Sequence, residues 1–238
     1  MGTERELKQT ARVAGLLYLT VVILGPFVLI YVPRQLFVMG DATATATNIL
    51  AHELMFRTYI VAGIFSELLF VGTVLMLFQL LKGVSRPLAI AMALLVLIDA
   101  PLSFLGSANQ VATLALLNGT GFLTAFDDAQ RATLATLLLI VHQKGILVSE
   151  VFWGLWLLPL AVLVYRSRFI PRLLGVWLFG NGIAYVGISL TGMLAPTKLS
   201  AVSSAATPLL FAEMALMLWL VIVGVRVRPS ASLSPAIT

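Results

Sequence analysis

Hydrophobic residues gather in six long runs along the chain, and polar residues collect between them. The first run, 13–32, is about 20 residues, the length a helix needs to cross the hydrocarbon core of a bilayer. It follows a polar segment with Arg5, Lys8 and Arg12 and stops at Pro33 and Arg34. The apolar part of a secretory leader is shorter, about 7 to 15 residues, so this run reads as a retained first span. The Ala/Thr stretch 41–47 reads as a loop, followed by Asn48 and a short amphipathic lead-in with His52, Glu53 and Arg57. The next runs predict spans over 58–81, closed by Lys82 and Arg86, and over 87–108, opened by Pro87, a favoured first-turn residue. Asn118, Gly119 and Gly121 mark a loop, and Asp127 with Gln130 three residues on reads as a capping box. The last three spans are predicted at 134–165, 171–194 and 208–225, and the Ser- and Pro-rich 229–238 reads as a disordered cytoplasmic tail. The expected fold is an all-α integral membrane protein, with six transmembrane helices in a single domain over 1–228.

The fourth run is too long for one crossing. A helix over 128–165 would measure about 57 Å at 1.5 Å per residue, against about 30 Å of hydrocarbon. Its first part is therefore expected at or above the outer interface, bent near Gly145, with Pro159 kinking the inner half. It is also unusually polar, holding His142, Gln143, Lys144, Ser149 and Glu150 ahead of unbroken apolar sequence.

Composition agrees with lipid as the solvent. Hydrophobic residues make up 60% and charged residues only 11%, where a soluble domain has about 25% charged. The net charge of +5 comes from Lys and Arg lying between apolar runs, which reads as topology signal and headgroup contact rather than as a nucleic-acid surface. The predicted tails and the 2–3 and 4–5 connections carry ten basic residues and the other side five. The positive-inside rule then places both termini in the cytoplasm. There is no Cys, hence no disulfide, thiolate metal site or Cys nucleophile. No nucleophile elbow, phosphate loop or HExxH motif occurs, the two His lack zinc-ligand spacing, and no cofactor or metal is expected.

Candidate chemistry lies in buried acids. The second, fourth and sixth spans each hold one glutamate, Glu67, Glu150 and Glu213, about 13 to 16 residues from the first basic residue at the inner end. At 1.5 Å per residue all three stand about 20 to 24 Å above that interface, and Asp99 on the third span reaches about the same height. Asn181 sits nearer the midplane. The repetition, with Ser66-Glu67 echoed by Ser149-Glu150, suggests three tandem helical hairpins. The nearest cations are not level with the acids, since Arg57 is about 15 Å outside Glu67 and Lys144 about 9 Å outside Glu150. Three resolutions are open: protonation, hydrogen bonding to Asn109, Asn181 or backbone freed at Pro159, or a bound cation. His142 lies about 12 Å along the helix from Glu150, so the two do not ligate one metal on a straight helix. Gly175 and Gly182, and Gly180 and Gly187, are spaced for close helix packing, and the four Trp read as packing residues.

Several short motifs carry a resemblance. They are Arg12, Ala14-Gly15 and Tyr18; Asn48-Ile49 with Glu53 and Phe56-Arg57; His142 with Phe152 and Gly154; Ser167 with Ile170-Pro171-Arg172 and Leu174-Gly175; and Ala212-Glu213 with Leu218-Trp219-Leu220 and Gly224. Over nearly its whole length the chain resembles the bacterial polytopic membrane family of domain of unknown function 4386. The resemblance implies an all-helical fold and a multi-pass address in the bacterial cytoplasmic membrane and carries over no mechanism; Lys144 and Asp99 fall outside its motifs.

Three functions are compatible with this pattern. The leading one is binding, transport or sensing of a small cation, a proton or an amine through Glu67, Asp99, Glu150 and Glu213, with His142, Asn181, Arg57 and Lys144 as further candidates. The second is a membrane-embedded enzyme on a lipid-like substrate, with Glu150 or Glu213 as base and His142 as acid. The third is a structural or assembly protein whose polar groups only fix helix register.

Overall fold

A computed structural model describes residues 4–225; Arg226, Arg228 and the tail expected at 229–238 lie outside the described residues. Among those residues every regular element is helical. Six stretches are long and apolar enough to cross a membrane, as a multi-pass membrane protein requires.

The first span is longer than expected and is not one uniform helix. α1 covers Glu4–Pro26, a π turn covers Phe27–Tyr31, and α2 covers Val32–Leu36. Pro33 has no N–H for the carbonyl of Leu29, and the ladder shifts by one register, with Val32 N–H bonding to Phe27 O. The stretch expected as a loop at 41–47 is instead part of α3, Ala42–Ala51. Asp41 caps it by accepting from Ala44 N–H at 2.8 Å, and Thr45 ties it back by donating to Asp41 O and accepting from Val38 N–H. Short Thr side chains that bond within their own turn let an Ala/Thr run close a helix here.

α4 runs Glu53–Leu81 and takes in the amphipathic lead-in as its first turns. α5, Arg86–Asn118, continues ten residues past its expected end and is closed by Gly119 at φ +61°, a left-handed position that favours glycine. α6 is a single helix over Asp128–Ser167, opened by the expected capping box of Asp127 and Gln130 and unbroken at both Gly145 and Pro159. It ends on Arg168 at φ +62°. α7 spans Arg172–Leu194. α8 spans Leu199–Ile222, so Pro208 lies inside the helix and not at its start.

Packing makes a ring. Each long helix contacts the next in sequence, and α1 closes the circle against α8. Close approach is built with glycine. A Cβ on Gly154 would lie 2.5 Å from the Gly182 carbonyl oxygen, and one on Gly175 would lie 2.8 Å from that of Ala161, so α6 and α7 touch backbone to backbone. The pair expected at Gly175 and Gly182 is realised; Gly187 has open space beside it. Gly15 gives α1 the same access to Val221 of α8. The main core, with Trp156, Leu157, Leu77, Met92 and Leu216, fills the half of the ring that holds Arg12, Lys82, Arg86 and Arg172 at its rim; we call this the basic end. A second core at the opposite end packs Val32, Leu36 and Ile49 against Phe56, Leu117 and Leu139. It is made possible by α5 and α6, whose 33 and 40 residues are about 50 and 60 Å long. The outer surface exposes Leu16, Ile23, Leu68, Ile98, Val176 and Ile222, as a lipid-facing belt does.

Candidate functional site

Between the two cores all six spans border one cavity of about 540 Å³. Its lining on α6 runs from Val141 to Trp156, about 22 Å of helix. Toward the basic end it has an aromatic floor. The rings of Tyr18, Phe70 and Trp156 pack mutually, with centroids 5.2 to 6.2 Å apart.

Polar groups stand on the walls above that floor. Glu67 faces the cavity from α4, beside Ser66 and with Ser103 and Asp99 of α5 as the neighbours of its carboxyl. Glu213 faces it from α8 and accepts a hydrogen bond from Asn181 Nδ2 at 3.0 Å. His142 lines the far end, where its Nε2 lies 2.8 Å from Gln110 Nε2 and 3.2 Å from the Tyr59 hydroxyl. Gly106 makes room for this imidazole, since a Cβ there would lie 2.6 Å from Nδ1.

The remaining candidates do not reach the cavity wall. Asp99 is buried behind it and accepts from Trp153 Nε1 at 3.0 Å. Glu150 is not part of the wall, although it lies near Tyr185 of α7, which is. Asn181 is fully buried and acts as the holder of Glu213. Lys144 is exposed. Arg57 is also exposed and is paired with Glu53 at 2.6 Å. Among the described residues, none of Glu67, Asp99, Glu150 and Glu213 forms an ion pair. Nor does a carboxylate contact His142, whose partners are Gln110 and Tyr59.

Several buried polar atoms have no hydrogen-bond partner within the chain. They include Tyr18 OH, Ser66 Oγ and Glu67 Oε1 on the cavity wall, and Asp99 Oδ1, Glu150 Oε2 and Asn181 Oδ1 behind it. Such atoms are costly in a low-dielectric interior unless something supplies a partner.

Sequence reasoning missed part of this site. Ser103 carries no signal in the sequence, Trp153 reads as a packing residue, and Gln110 lies beyond the expected end of its span. Trp153 shows why the signal was weak. It packs edge-on against Tyr185 at 6.0 Å, as expected of a packing residue, and its indole N–H serves Asp99 as well.

A ring of six apolar helices around a central cavity with a few polar groups on its walls defines the class, a multi-pass helical membrane protein. The family model for Domain of unknown function (DUF4386) matches residues 13–224, and the chain belongs to that family. No curated protein and no solved structure matches it.

Proposed function

We propose that the central cavity binds a small organic cation, an amine carrying its charge on nitrogen, for transport or for sensing. The observation that carries this reading is the pair of carboxyl groups, Glu67 and Glu213, on the walls of one cavity without a cation of the chain beside either. An ionised group in the membrane interior costs several kcal/mol unless it is paired. A bound ammonium supplies that partner, and a cavity of about 540 Å³ suits an organic body rather than a bare ion. Phe70, the ring of the floor that keeps some exposure while Tyr18 and Trp156 are buried beneath it, offers apolar area for the rest of the ligand. The basic residues near one end favour an arrangement with both termini in the cytoplasm, in the bacterial cytoplasmic membrane.

The test is a thermal-shift series on the detergent-purified protein with primary, tertiary and quaternary amines. A ligand held only by the folded state stabilises it by about 2.7 kcal/mol at a hundredfold excess over Kd. Glu67→Gln and Glu213→Gln should each weaken the shift by at least about tenfold in ligand concentration, equivalent to about 1.4 kcal/mol. An undiminished response in both variants would remove the carboxylates from the site and end this reading.

A further inference from the structure

The ring closes unevenly, and the uneven place lies between its first and last helices. α1 and α8 fit tightly near the basic end, where a Cβ on Gly15 would stand 2.8 Å from Val221 Cγ2 and 3.1 Å from Leu220 Cβ. Farther along, the two part. The π turn Phe27–Tyr31 packs on α1, α2 and α4 and makes no comparable contact with α8. α8 leans the other way, with Pro208 O held by Trp177 Nε1 at 3.1 Å. Its Ala206, Val202 and Leu210 pack on Ala184 and Ile188 of α7.

The gap left between them leads into the cavity. Gly25 and Leu29 border it on one side, Leu210 and Met214 on the other, and all four belong to the cavity lining. Leu29 is 47% exposed and Met214 37%, and a Cβ on Gly25 would meet nothing within 4 Å. Gly25 and Leu29 lie about 20 and 25 Å along the helix from Arg12, within the roughly 30 Å depth of hydrocarbon. Every side chain on these edges is apolar. A hydrated ion would have to shed its water to pass between them, whereas an alkyl or aryl group passes from lipid into similar surroundings.

We propose that this seam is a lateral portal from the bilayer, and that the ligand is an amphiphilic amine with an alkyl or aryl body and one protonated nitrogen. The assignment rests on the reading of the cavity as a cation site and adds the route and the class of compound. The nitrogen sits between Glu67 and Glu213, and the body lies against Phe70 and the apolar wall above it.

The full chain in lipid nanodiscs tests it, with 12-bromododecylamine as the probe. Its bromine quenches tryptophan at short range, and Trp153 and Trp156 line the cavity. The double variant Glu67→Gln/Glu213→Gln defines quenching by amine that has merely entered the lipid. Gly25→Phe fills the portal, and Gly187→Phe places the same bulk at another open glycine away from the cavity. The expected result is saturable quenching whose association rate falls at least tenfold in Gly25→Phe and is unchanged in Gly187→Phe. Dodecylamine should displace the probe at a far lower concentration than propylamine. A normal rate in Gly25→Phe overturns the portal and leaves the cavity reading standing. Wild-type quenching no greater than that of the double variant overturns both. Equal displacement by the two amines overturns the amphiphile assignment. Should Gly25→Phe fail to fold, Gly25→Leu and, from the other edge, Met214→Phe carry the same test.

Discussion

The contact between α6 and α7 is sharp enough to predict opposite signs for one chemical change. Alanine at Gly154 would bring Cβ to 2.5 Å from the Gly182 carbonyl oxygen, 2.7 Å from Val186 Cγ2 and 2.9 Å from Val186 N. Two of those three atoms are backbone, so no side chain can swing aside, and α7 itself must move. Overpacking of this kind costs about 1 to 3 kcal/mol. Alanine at Gly187, on the same helix α7 as Val186, meets nothing within 4 Å and should stabilise by about 0.4 to 1 kcal/mol through lost freedom of the unfolded chain. The two substitutions should therefore differ by about 1.5 to 4 kcal/mol, with opposite signs. Reversible SDS unfolding followed by tryptophan fluorescence measures the difference. Gly182→Ala meets the Gly154 carbonyl at 2.8 Å, so the same separation of helices relieves both clashes. The Gly154→Ala/Gly182→Ala double variant should then cost less than the two singles added. If Gly154→Ala and Gly187→Ala unfold alike, the helices are not in backbone contact and the reasoning fails.

Three further outcomes follow from other contacts. Trp153→Phe removes the 3.0 Å bond to Asp99 and should cost about 1.5 to 3 kcal/mol, with the cost shrinking in an Asp99→Leu background when the cycle is measured by the same unfolding assay. Gly106→Ala presses on the end of the His142 side chain at 2.6 Å, so it should destabilise wild type and be harmless in His142→Ala; equal effects in both backgrounds would show that the clash is elsewhere. Asp127→Ala breaks the capping box at the start of α6 and should cost about 1 kcal/mol, read as faster hydrogen exchange of the first-turn amides and no change at Trp156.

Much of this arrangement could be read from the chain itself, and the parts that could not have a common cause. Run length located all six spans, and the Asp127–Gln130 spacing located the start of α6, because both signals are local. Gly175 and Gly182 revealed a packing face for the same reason. The helix at Ala42–Ala51 was hidden because alternating Ala and Thr give neither an apolar stripe nor a turn signal, and its stability comes from the cap and from burial of Ile49 at the second core. α5 was cut short at 108 because its last ten residues turn polar on one face, where Gln110 meets His142 and Thr113 meets Ala135 O of the next helix. The acids show the limit most clearly. Chain position put Glu67, Asp99, Glu150 and Glu213 at one height, but rotation about each helix decides which of them sees the cavity. Glu67 and Glu213 do, whereas Glu150, near Tyr185, and Asp99, bonded to Trp153, do not. That rotation is set by neighbours distant in sequence, such as the Gly154–Gly182 contact.

Closure of the ring by its first and last members also sets a timetable for biosynthesis. Gly15 must wait for Leu220 and Val221, which emerge about 200 residues later, about 10 to 40 seconds at ordinary elongation rates. Through that interval the polar wall of the half-built ring, with Ser66 and Glu67, has no sixth helix across from it. The wall that carries Glu67 is therefore complete only once α8 has been made.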